Sequence, residues 1–244
     1  MPETALRRRE MLANTPLFAS VQTDLLDELA AKAKMVKVDA RETLFSKGDP
    51  GDRLYLVAKG LIRIGVLSAE GREVTYGLIK PGQLFGEIAV LDGKERSADA
   101  TAMEATELIA LERKDVHAFL HNHPVQALHL IEVLCERIRR ADNQLEDMVF
   151  LSLPSRLAKH LLMLDQTMGT KAKPGGASTI KLSQQEIADH LGISRESVNK
   201  VLSKWEQAGI VTLGRGQITL NKVATLEGLT SLKYVVLGQG EIRS

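Results

Sequence analysis

The chain of 244 residues is 44% hydrophobic and 26% charged, with a formal net charge of +1. This balance is typical of a folded globular protein rather than a disordered chain, and the length is sufficient for two domains. No apolar run approaches the roughly 18 residues that a membrane span needs, and Arg7-Arg8-Arg9 is not followed by the apolar core of a secretory signal. We therefore predict a cytoplasmic protein with no membrane association.

The charge is unevenly distributed along the chain. Residues 151–244 hold 12 Lys and Arg against 7 Asp and Glu, whereas the whole chain holds 32 against 31. The N-terminal part is therefore net acidic and the C-terminal part net basic. A basic surplus confined to one part of a chain is expected of a segment that binds nucleic acid.

The N-terminal part is predicted to be helical up to about residue 34, with Thr23-Asp24 as an N-cap. From about Met35 the apolar residues alternate with period two, which indicates β-strands ending near Leu111. The alternation is clearest in Ile62, Ile64 and Val66 and in Val74, Tyr76 and Leu78. Turn glycines separate these short strands at Gly51, Gly60, Gly71, Gly82 and Gly93. Short strands at this spacing are typical of a β-sandwich or β-barrel.

The stretch Pro124–Phe150 has no internal Pro or Gly and predicts one long helix. Apolar residues recur along it at steps of three and four, the pattern of a helix that packs lengthwise against another helix. The members of this heptad stripe are Leu128, Ile131, Cys135, Ile138, Asp142, Leu145 and Val149. Asp142 is the exception, because a carboxylate buried in such a stripe is destabilising unless it is solvated or finds hydrogen-bond donors.

After the long helix, Pro154 interrupts the helical pattern, so residues 151–155 are predicted to form a hinge. A helix follows to about Gln166. The Lys-, Gly- and Pro-containing stretch Thr167–Ser178 is then predicted to be an exposed, mobile loop.

The next stretch has the pattern of a helix-turn-helix followed by a hairpin. Ser183 and Glu186 form a Ser-x-x-Glu capping box for the first helix, and Ser194 is the predicted N-cap of the second. The predicted DNA-binding residues at the start of that second helix are Ser194, Arg195, Glu196, Ser197, Asn199 and Lys200. Arginine suits guanine O6 and N7, glutamate suits cytosine N4, and lysine reaches guanine or phosphate. An ordinary helical hairpin with a charged face is the alternative, and the following hairpin, residues 210–220, favours a winged helix-turn-helix over it.

A second group of chemically suggestive residues lies among the strands. Gly86-Glu87 is followed by Arg96-Ser97-Ala98. Glu87 accepts a hydroxyl proton, Arg96 offers a planar set of donors to a phosphate, and Ser97 with neighbouring N–H groups completes an anion site. These residue types fit a nucleotide with one exposed phosphate. On composition alone, a Glu–Arg ion pair that braces a loop is the favoured interpretation.

The order and spacing of Gly86-Glu87 and Arg96-Ser97-Ala98 resemble the phosphate-binding cassette of cyclic-nucleotide-binding domains. With the long helix, the chain resembles the cyclic-AMP receptor protein and fumarate–nitrate regulator family of bacterial transcription factors over roughly residues 14–222. The resemblance implies that Glu87 binds the ribose 2′-hydroxyl, that Arg96 and Ser97 bind the cyclic phosphate, and that Arg137 lies near Glu87. In the family a Thr-Ser pair contacts adenine, where this sequence has Ala141-Asp142.

The implied architecture is an α+β protein. It has an N-terminal β-barrel of the double-stranded jelly-roll type, a long dimerisation helix and a C-terminal winged helix-turn-helix. The expected boundaries are 1–123 for the cyclic-nucleotide-binding sensor, 124–150 for the dimerisation helix, 151–155 for the hinge and 156–244 for the DNA-binding domain. In the family, the surface loop corresponding to Thr167–Ser178 touches RNA polymerase, which makes RNA polymerase an expected partner.

We therefore predict a homodimeric transcription activator that binds a cyclic nucleotide as allosteric effector and thereby binds palindromic double-stranded DNA. Cyclic AMP is the first candidate effector and cyclic GMP the second. A regulator of the same fold with another effector, or none, is the alternative.

An enzyme is not expected, since no strand carries the His and Glu ligands of a metal-dependent cupin. No metal is expected either, because Cys135 is the single cysteine and is predicted to be a small buried apolar residue. His121 and His123 form an HxH pair, but at a helix start outside the barrel, and are expected to be solvated. The other four histidines show no ligand spacing.

Overall fold

The computed structural model describes residues 3–19, 21–67, 73–171 and 177–230. The chain divides into two compact units, and the main boundary falls between Ala141 and Asp142, inside the long helix. Within the described ranges, no helix combines the length and the apolar character that crossing a membrane would require.

The N-terminal unit is built from two antiparallel four-stranded sheets and several helices. Its strands are β1 (Lys34–Val38), β2 (Thr43–Phe45), β3 (Arg53–Lys59), β4 (Ile62–Leu67), β5 (Glu73–Ile79), β6 (Leu84–Phe85), β7 (Asp99–Ala102) and β8 (Thr106–Glu112). One sheet has the order β1-β8-β3-β6 and the other the order β2-β7-β4-β5. Its helices are α1 (Glu3–Ala13), α2 (Thr23–Lys32), α3 (Glu87–Asp92), α4 (Arg113–Asn122) and the first part of α5 (Pro124–Phe150).

The core of this unit has two layers. Residues from both sheets, among them Val57, Ile62, Phe85, Ala100 and Leu108, form one fully buried cluster, so this layer lies between the sheets. The second layer joins the other face of the β1-β8-β3-β6 sheet to the helices. It includes Leu12, Phe18, Leu29, Leu56, Ile109, Phe119 and Leu130. The predicted period-two strands therefore form a β-sandwich, and helices cover one of its outer faces.

Two local predictions in this unit are wrong. Thr23 is the first residue of α2 rather than its cap; Gln22 holds the N-cap position and makes no side-chain capping bond. The alternation of Val74, Tyr76 and Leu78 also fails, because the pairing of β5 with β4 shifts by one residue at Tyr76. Such a bulge moves the following side chains to the opposite face. Thr75 is buried and Tyr76 is exposed as a result.

Helix α5 has 27 residues and the bounds that the sequence predicted. Five apolar members of the heptad stripe, Leu128, Ile131, Ile138, Leu145 and Val149, are between 52% and 65% exposed in the single chain. Contiguous exposed apolar surface of this kind marks a site of association. Asp142 is exposed, and Cys135 is half-buried rather than buried as predicted.

The second unit contains a small sheet and several helices. After the end of α5 come α6 (Leu153–Met168), β9 (Thr170–Lys171), β10 (Ser178–Ile180), α7 (Gln184–Leu191), α8 (Arg195–Gln207), β11 (Val211–Gly214), β12 (Gln217–Leu220) and α9 (Val223–Leu229). The sheet has the order β11-β12-β10-β9. Fully buried residues of this unit are Leu157, Leu161, Leu164, Ile180, Ile187, Val198, Leu202, Leu220 and Leu226.

The connection between α5 and α6 is shorter than the predicted hinge. Only Leu151 and Ser152 lie between the two helices, and Pro154 lies in the first turn of α6, where its missing N–H costs nothing. The side chain of Ser152 caps α6 by accepting a hydrogen bond from the Ser155 N–H at 3.4 Å.

The predicted loop Thr167–Ser178 has regular secondary structure at both of its ends. Helix α6 continues to Met168, β9 pairs with β10, and Ser178 is fully buried as the first residue of β10. Residues 172–176, the central part of that predicted loop, lie outside the described residues. A contact of this loop with RNA polymerase stays a prediction.

Candidate functional site

A cleft opens in the N-terminal unit beside the turn from β6 into α3. It encloses about 350 Å³, including the open solvent at its mouth. Its lining consists of Phe45, Ile64, Phe85, Gly86, Glu87, Ile88, Ala89, Arg96, Ser97, Ala98 and Arg137. Six predicted site residues are thus brought together: Gly86, Glu87, Arg96, Ser97, Ala98 and Arg137.

Arg96 lies at the base of this cleft and is only 4% exposed. Its Nη1 donates to the Gly86 carbonyl at 2.9 Å, and its Nη2 donates to the Arg53 carbonyl at 2.9 Å. Its Cζ lies 4.2 Å from the centroid of the Phe45 ring. Burial lowers the pKa of Arg96 below the ordinary arginine value, yet a guanidinium remains charged at any physiological pH. The cleft therefore has a fixed positive charge at its base.

Gly86 makes room for that charge. Its φ of 79° lies in the left-handed region, and a Cβ at this position would lie 2.7 Å from Arg96 Nη1 and 3.1 Å from the Arg53 carbonyl oxygen. In the structure the group that approaches the glycine is the Arg96 guanidinium.

Glu87 is 1% exposed and divides its two carboxylate oxygens between different roles. Its Oε1 accepts a hydrogen bond from Arg137, and Arg137 also donates to the Leu84 carbonyl. Its Oε2 is buried and has no hydrogen-bond partner among the described residues. The same is true of the Nε–H of Arg96.

These two unpartnered groups are informative because buried polar atoms almost always have a partner. An unpaired carboxylate oxygen needs a donor, and an unpaired N–H needs an acceptor. Since Glu87 and Arg96 both line the cleft, a ligand with a hydroxyl group and an anionic oxygen suits them. The alternative of a direct Glu87–Arg96 ion pair is not what the structure has: Glu87 pairs with Arg137, and Arg96 bonds to backbone carbonyls.

The other predicted ligand-binding residues differ in their exposure and in whether they line the cleft. Ser97 is exposed at the cleft, and Ala98 beside it is buried. Ala141 and Asp142 are exposed on α5 and are not among the residues that line the cleft of a single chain.

Sequence reasoning did not include several members of this site. Phe45, Ile64 and Ile88 line the cleft, and the carbonyl of Arg53 holds Arg96. Apolar residues in short strands look like ordinary core positions, and a carbonyl leaves no sequence signal. These members become visible only when the strands are paired.

The capping signals of the second unit are confirmed. The Ser183 N–H donates to Glu186 Oε2 at 2.7 Å, and the Glu186 N–H donates to Ser183 Oγ at 3.2 Å. Ser194 is the N-cap of α8 and accepts from the Ser197 N–H at 3.2 Å. Both caps satisfy N–H groups that a helix start leaves unpaired.

Helix α8 is strongly amphipathic. Val198, Leu202 and Trp205 are buried and anchor the helix in its unit. The predicted DNA-binding residues Arg195, Glu196, Asn199 and Lys200 are exposed, together with the cap Ser194, whereas Ser197 is half-buried. A helix of this kind presents a basic polar face of a size that fits the major groove.

The hairpin of β11 and β12 follows α8 and is fixed to it. The Leu213 N–H donates to Glu206 Oε1 at 3.0 Å, and Lys222 Nζ donates to the Ala208 carbonyl at 3.0 Å. The exposed Arg215 lies at the tip between two glycines. The hairpin is thus a wing held next to the end of α8.

Two family models match the chain. Residues 35–123 match the cyclic nucleotide-binding domain, and residues 155–229 match the Crp-like helix-turn-helix domain. The first match contains the cleft residues other than Arg137, and the second contains α7, α8 and the wing.

Characterised proteins resemble the chain over most of its length. A CRP-like cAMP-activated global transcriptional regulator of Mycobacterium tuberculosis is 33% identical over 204 residues, 84% of this chain and 91% of that protein. A cyclic AMP receptor protein of Thermus thermophilus is 35% identical over 216 residues, 88% of this chain and 97% of that protein. The crystal structure of a CRP/FNR family transcriptional regulator, also from Thermus thermophilus, superposes with a TM-score of 0.67 at 29% identity, covering 81% of this chain and 98% of that one.

Proposed function

Since this chain belongs to the CRP/FNR family of DNA-binding transcription regulators, a family of non-enzymes, we propose that a cyclic nucleotide bound in its cleft controls its binding to palindromic DNA as a homodimer. Cyclic AMP is the first candidate effector, because the Mycobacterium tuberculosis relative is cAMP-activated and the Thermus thermophilus relative is a cyclic AMP receptor protein. A regulator with this role acts in the cytoplasm.

The observation that carries the proposal is the pair of unpartnered groups in the cleft, Glu87 Oε2 and Arg96 Nε. A ribose 2′-hydroxyl donates to Glu87, and the cyclic phosphate accepts from Arg96 and from the Ser97 hydroxyl. Arg137 keeps the other Glu87 oxygen occupied, so the carboxylate is oriented before the nucleotide arrives. Ala98 is small enough to leave room for the phosphate, and Gly86 leaves room for the Arg96 guanidinium.

Base recognition is assigned to Ala141 and Asp142. They lie about one helical turn beyond Arg137 on α5. A carboxylate accepts from the adenine N6 amino group, and its two oxygens also match the N1–H and N2–H₂ donors of guanine. Cyclic GMP is therefore the second candidate effector, and Asp142 is the residue that extends selectivity towards it.

Regulators of this family bind DNA as dimers. In this chain the exposed stripe on α5 supplies the surface for a second copy, through apolar residues such as Leu128, Ile138 and Leu145. In a parallel pair of such helices the two Asp142 side chains face each other, and their like charges repel in the empty protein. Donors from a bound base remove this penalty, which couples nucleotide binding to tighter pairing of the helices.

DNA recognition is assigned to the exposed face of α8. Arg195 contacts guanine O6 and N7, Glu196 contacts cytosine N4, and Lys200 contacts guanine or phosphate. Asn199 with the half-buried Ser197 and the cap Ser194 completes the contacting surface. Two such helices in a dimer read half-sites about 34 Å apart, one turn of DNA.

The remaining assignments follow from the same family role. The proposed boundaries are a sensor at residues 1–123, a dimerisation helix at 124–150, a hinge at 151–152 and a DNA-binding domain from residue 153 onwards. RNA polymerase is the proposed further partner of the activator, reached through the surface around residues 167–178.

Calorimetric titration of the purified protein with cyclic AMP and with cyclic GMP tests the effector assignment. We expect binding by the wild type and at least a tenfold loss of affinity in Arg96→Leu, because one or two charge-assisted hydrogen bonds to the phosphate disappear, each worth about 1.5–3 kcal/mol. Arg139→Leu, which removes an exposed arginine of α5 that does not line the cleft, is the matched control.

A gel-shift assay on palindromic DNA with and without nucleotide tests the regulatory assignment. Nucleotide-dependent retardation supports the proposal. Strong retardation that neither nucleotide changes, together with no calorimetric signal, would instead favour a regulator of the same fold with another effector or none.

A further inference from the structure

Phe45 lies against the guanidinium group of the cleft. The Arg96 Cζ is 4.2 Å from the centroid of the Phe45 ring and 5.6 Å from that of Tyr55. Both distances are within the range in which an aromatic face attracts a cation. Phe45 is also part of an aromatic group, with centroids of Tyr55 and Phe85 each 6.0 Å away. The Phe45 ring therefore packs against two other aromatic rings.

The backbone ties Phe45 and Arg96 to each other. Phe45 pairs with Ala100 in the β2–β7 ladder. In the turn after β2, the Gly48 N–H donates to the Arg96 carbonyl at 2.9 Å, and the Arg96 N–H donates to the Asp49 carbonyl at 2.9 Å. The ring and the guanidinium thus come from two segments that are locked together, so their contact does not depend on a flexible loop.

The contact supplies a restraint that the hydrogen bonds of Arg96 lack. The Gly86 and Arg53 carbonyls accept from the two Nη atoms, which lie in the plane of the guanidinium. In-plane bonds leave the group free to tilt about the line that joins them. A ring against one face removes that freedom, and it attracts a cation that has lost most of its hydration.

We propose that Phe45 is a positioning residue that holds the Arg96 guanidinium, through its ring face, in the orientation that binds the anionic group of the effector. This proposal rests on the proposed function, because the anionic group is the phosphate of the cyclic nucleotide. Phe45 acts through Arg96, so its effect concerns ligands with a phosphate and is nearly absent for the corresponding nucleoside.

The first experiment compares Phe45→Leu and Phe45→Met, which keep apolar bulk without a ring, with Phe45→Tyr, which keeps the ring. Calorimetry is done with cyclic AMP and with adenosine, which lacks the phosphate. We expect a five- to thirtyfold loss of cyclic AMP affinity in the two ring-free variants. Adenosine affinity should change less than twofold, and Phe45→Tyr should bind cyclic AMP within about threefold of the wild type. Thermal unfolding checks that each variant is folded.

A second readout needs no ligand. A guanidinium this close to a ring face experiences a ring-current shift, so the Arg96 Nε–H proton should resonate upfield in the ¹⁵N-labelled wild type. Its signal is assigned by its loss in Arg96→Lys. The upfield shift should persist in Phe45→Tyr and decrease strongly in Phe45→Leu and Phe45→Met, where only the more distant Tyr55 ring remains.

The outcomes separate the two proposals. Equal losses for cyclic AMP and adenosine in the ring-free variants would show that Phe45 is only an apolar wall, and an unshifted Arg96 signal in the wild type would show that the ring does not hold the guanidinium. Either result overturns the positioning role. A wild type that shows the ring-current shift but binds neither cyclic AMP nor cyclic GMP would instead overturn the proposed effector.

Discussion

Replacing Gly86 by alanine should separate the stability of the sensor unit from its ability to bind a nucleotide. The residue has a φ of 79°, and a left-handed conformation costs an L-residue about 1–2 kcal/mol. The added Cβ would also lie 2.7 Å from Arg96 Nη1. Because that atom is the far end of a flexible side chain, the fold can adapt by moving the guanidinium. The displaced group then loses its hydrogen bond to the residue 86 carbonyl.

The expected loss of affinity follows from that displacement. The displaced guanidinium no longer meets the phosphate in the right position, and a charge-assisted hydrogen bond lost there is worth about 1.5–3 kcal/mol. Cyclic AMP should therefore bind Gly86→Ala about ten- to a hundredfold more weakly, measured by calorimetry. Gly82→Ala is the matched control, since its φ is 82° and the nearest atom to an added Cβ is the Asn14 carbonyl oxygen at 3.6 Å. Urea unfolding should show a destabilisation of about 1–2 kcal/mol from backbone strain in Gly82→Ala and a larger one in Gly86→Ala, which also loses the Arg96 hydrogen bond.

The two variants must differ in nucleotide binding for the reasoning to hold. If Gly86→Ala binds cyclic AMP as tightly as Gly82→Ala does, then the position of Arg96 does not matter to the ligand. The assignment of Arg96 as the phosphate-binding residue would then be wrong, because both variants carry the same backbone strain.

Three further perturbations test other parts of the molecule. Arg195→Ala should weaken binding to a specific palindrome by about 1–3 kcal/mol and relax the preference for one guanine in each half-site. A footprint that covers a single asymmetric half-site would contradict the proposal that a dimer binds the DNA. Asp142→Leu should raise DNA binding without nucleotide in a gel shift and reduce cyclic GMP affinity, and unchanged values for both would mean that Asp142 is merely solvated. Lys159 contacts both carboxylate oxygens of Asp147, at 2.7 and 2.8 Å, and so joins the end of α5 to α6. A double-mutant cycle with Asp147→Asn and Lys159→Met, measured by urea unfolding, should give a coupling free energy of about 0.2–1 kcal/mol. A coupling free energy of zero would show that the pair does not stabilise this connection.

The elements that sequence predicted well are those whose stabilising interactions are local. The bounds of α5 follow from its proline start and its uninterrupted periodicity. The caps at Ser183 and Ser194 join residues only three positions apart, so the pattern of residue types contains the whole interaction. The same locality explains why the turn into α8 and the following hairpin were predictable.

Local patterns failed where a distant partner decided the outcome. Which side chains of β5 face the core depends on the bulge in its pairing with β4. This bulge buries Thr75 and exposes Tyr76. Ser178 has the composition of a loop residue, yet it is fully buried because β10 pairs with β12 and β9. Neither result is encoded in the neighbouring residues, since strand pairing is a long-range choice.

At the functional site, the chemical groups follow from the residue types alone: a carboxylate at Glu87, a cation at Arg96 and an exposed basic face on α8. Their surroundings depend on how the chain packs. The Arg53 carbonyl that holds Arg96 is 43 positions away, and the Arg137 that orients Glu87 is 50 positions away. Such partners meet because the two sheets pair and α5 packs on them, and a buried group takes whatever donor or acceptor the packed chain provides. The Phe45 ring becomes part of the site for the same reason, since the burial of a cation and the position of a ring are properties of the packed unit and not of either segment alone.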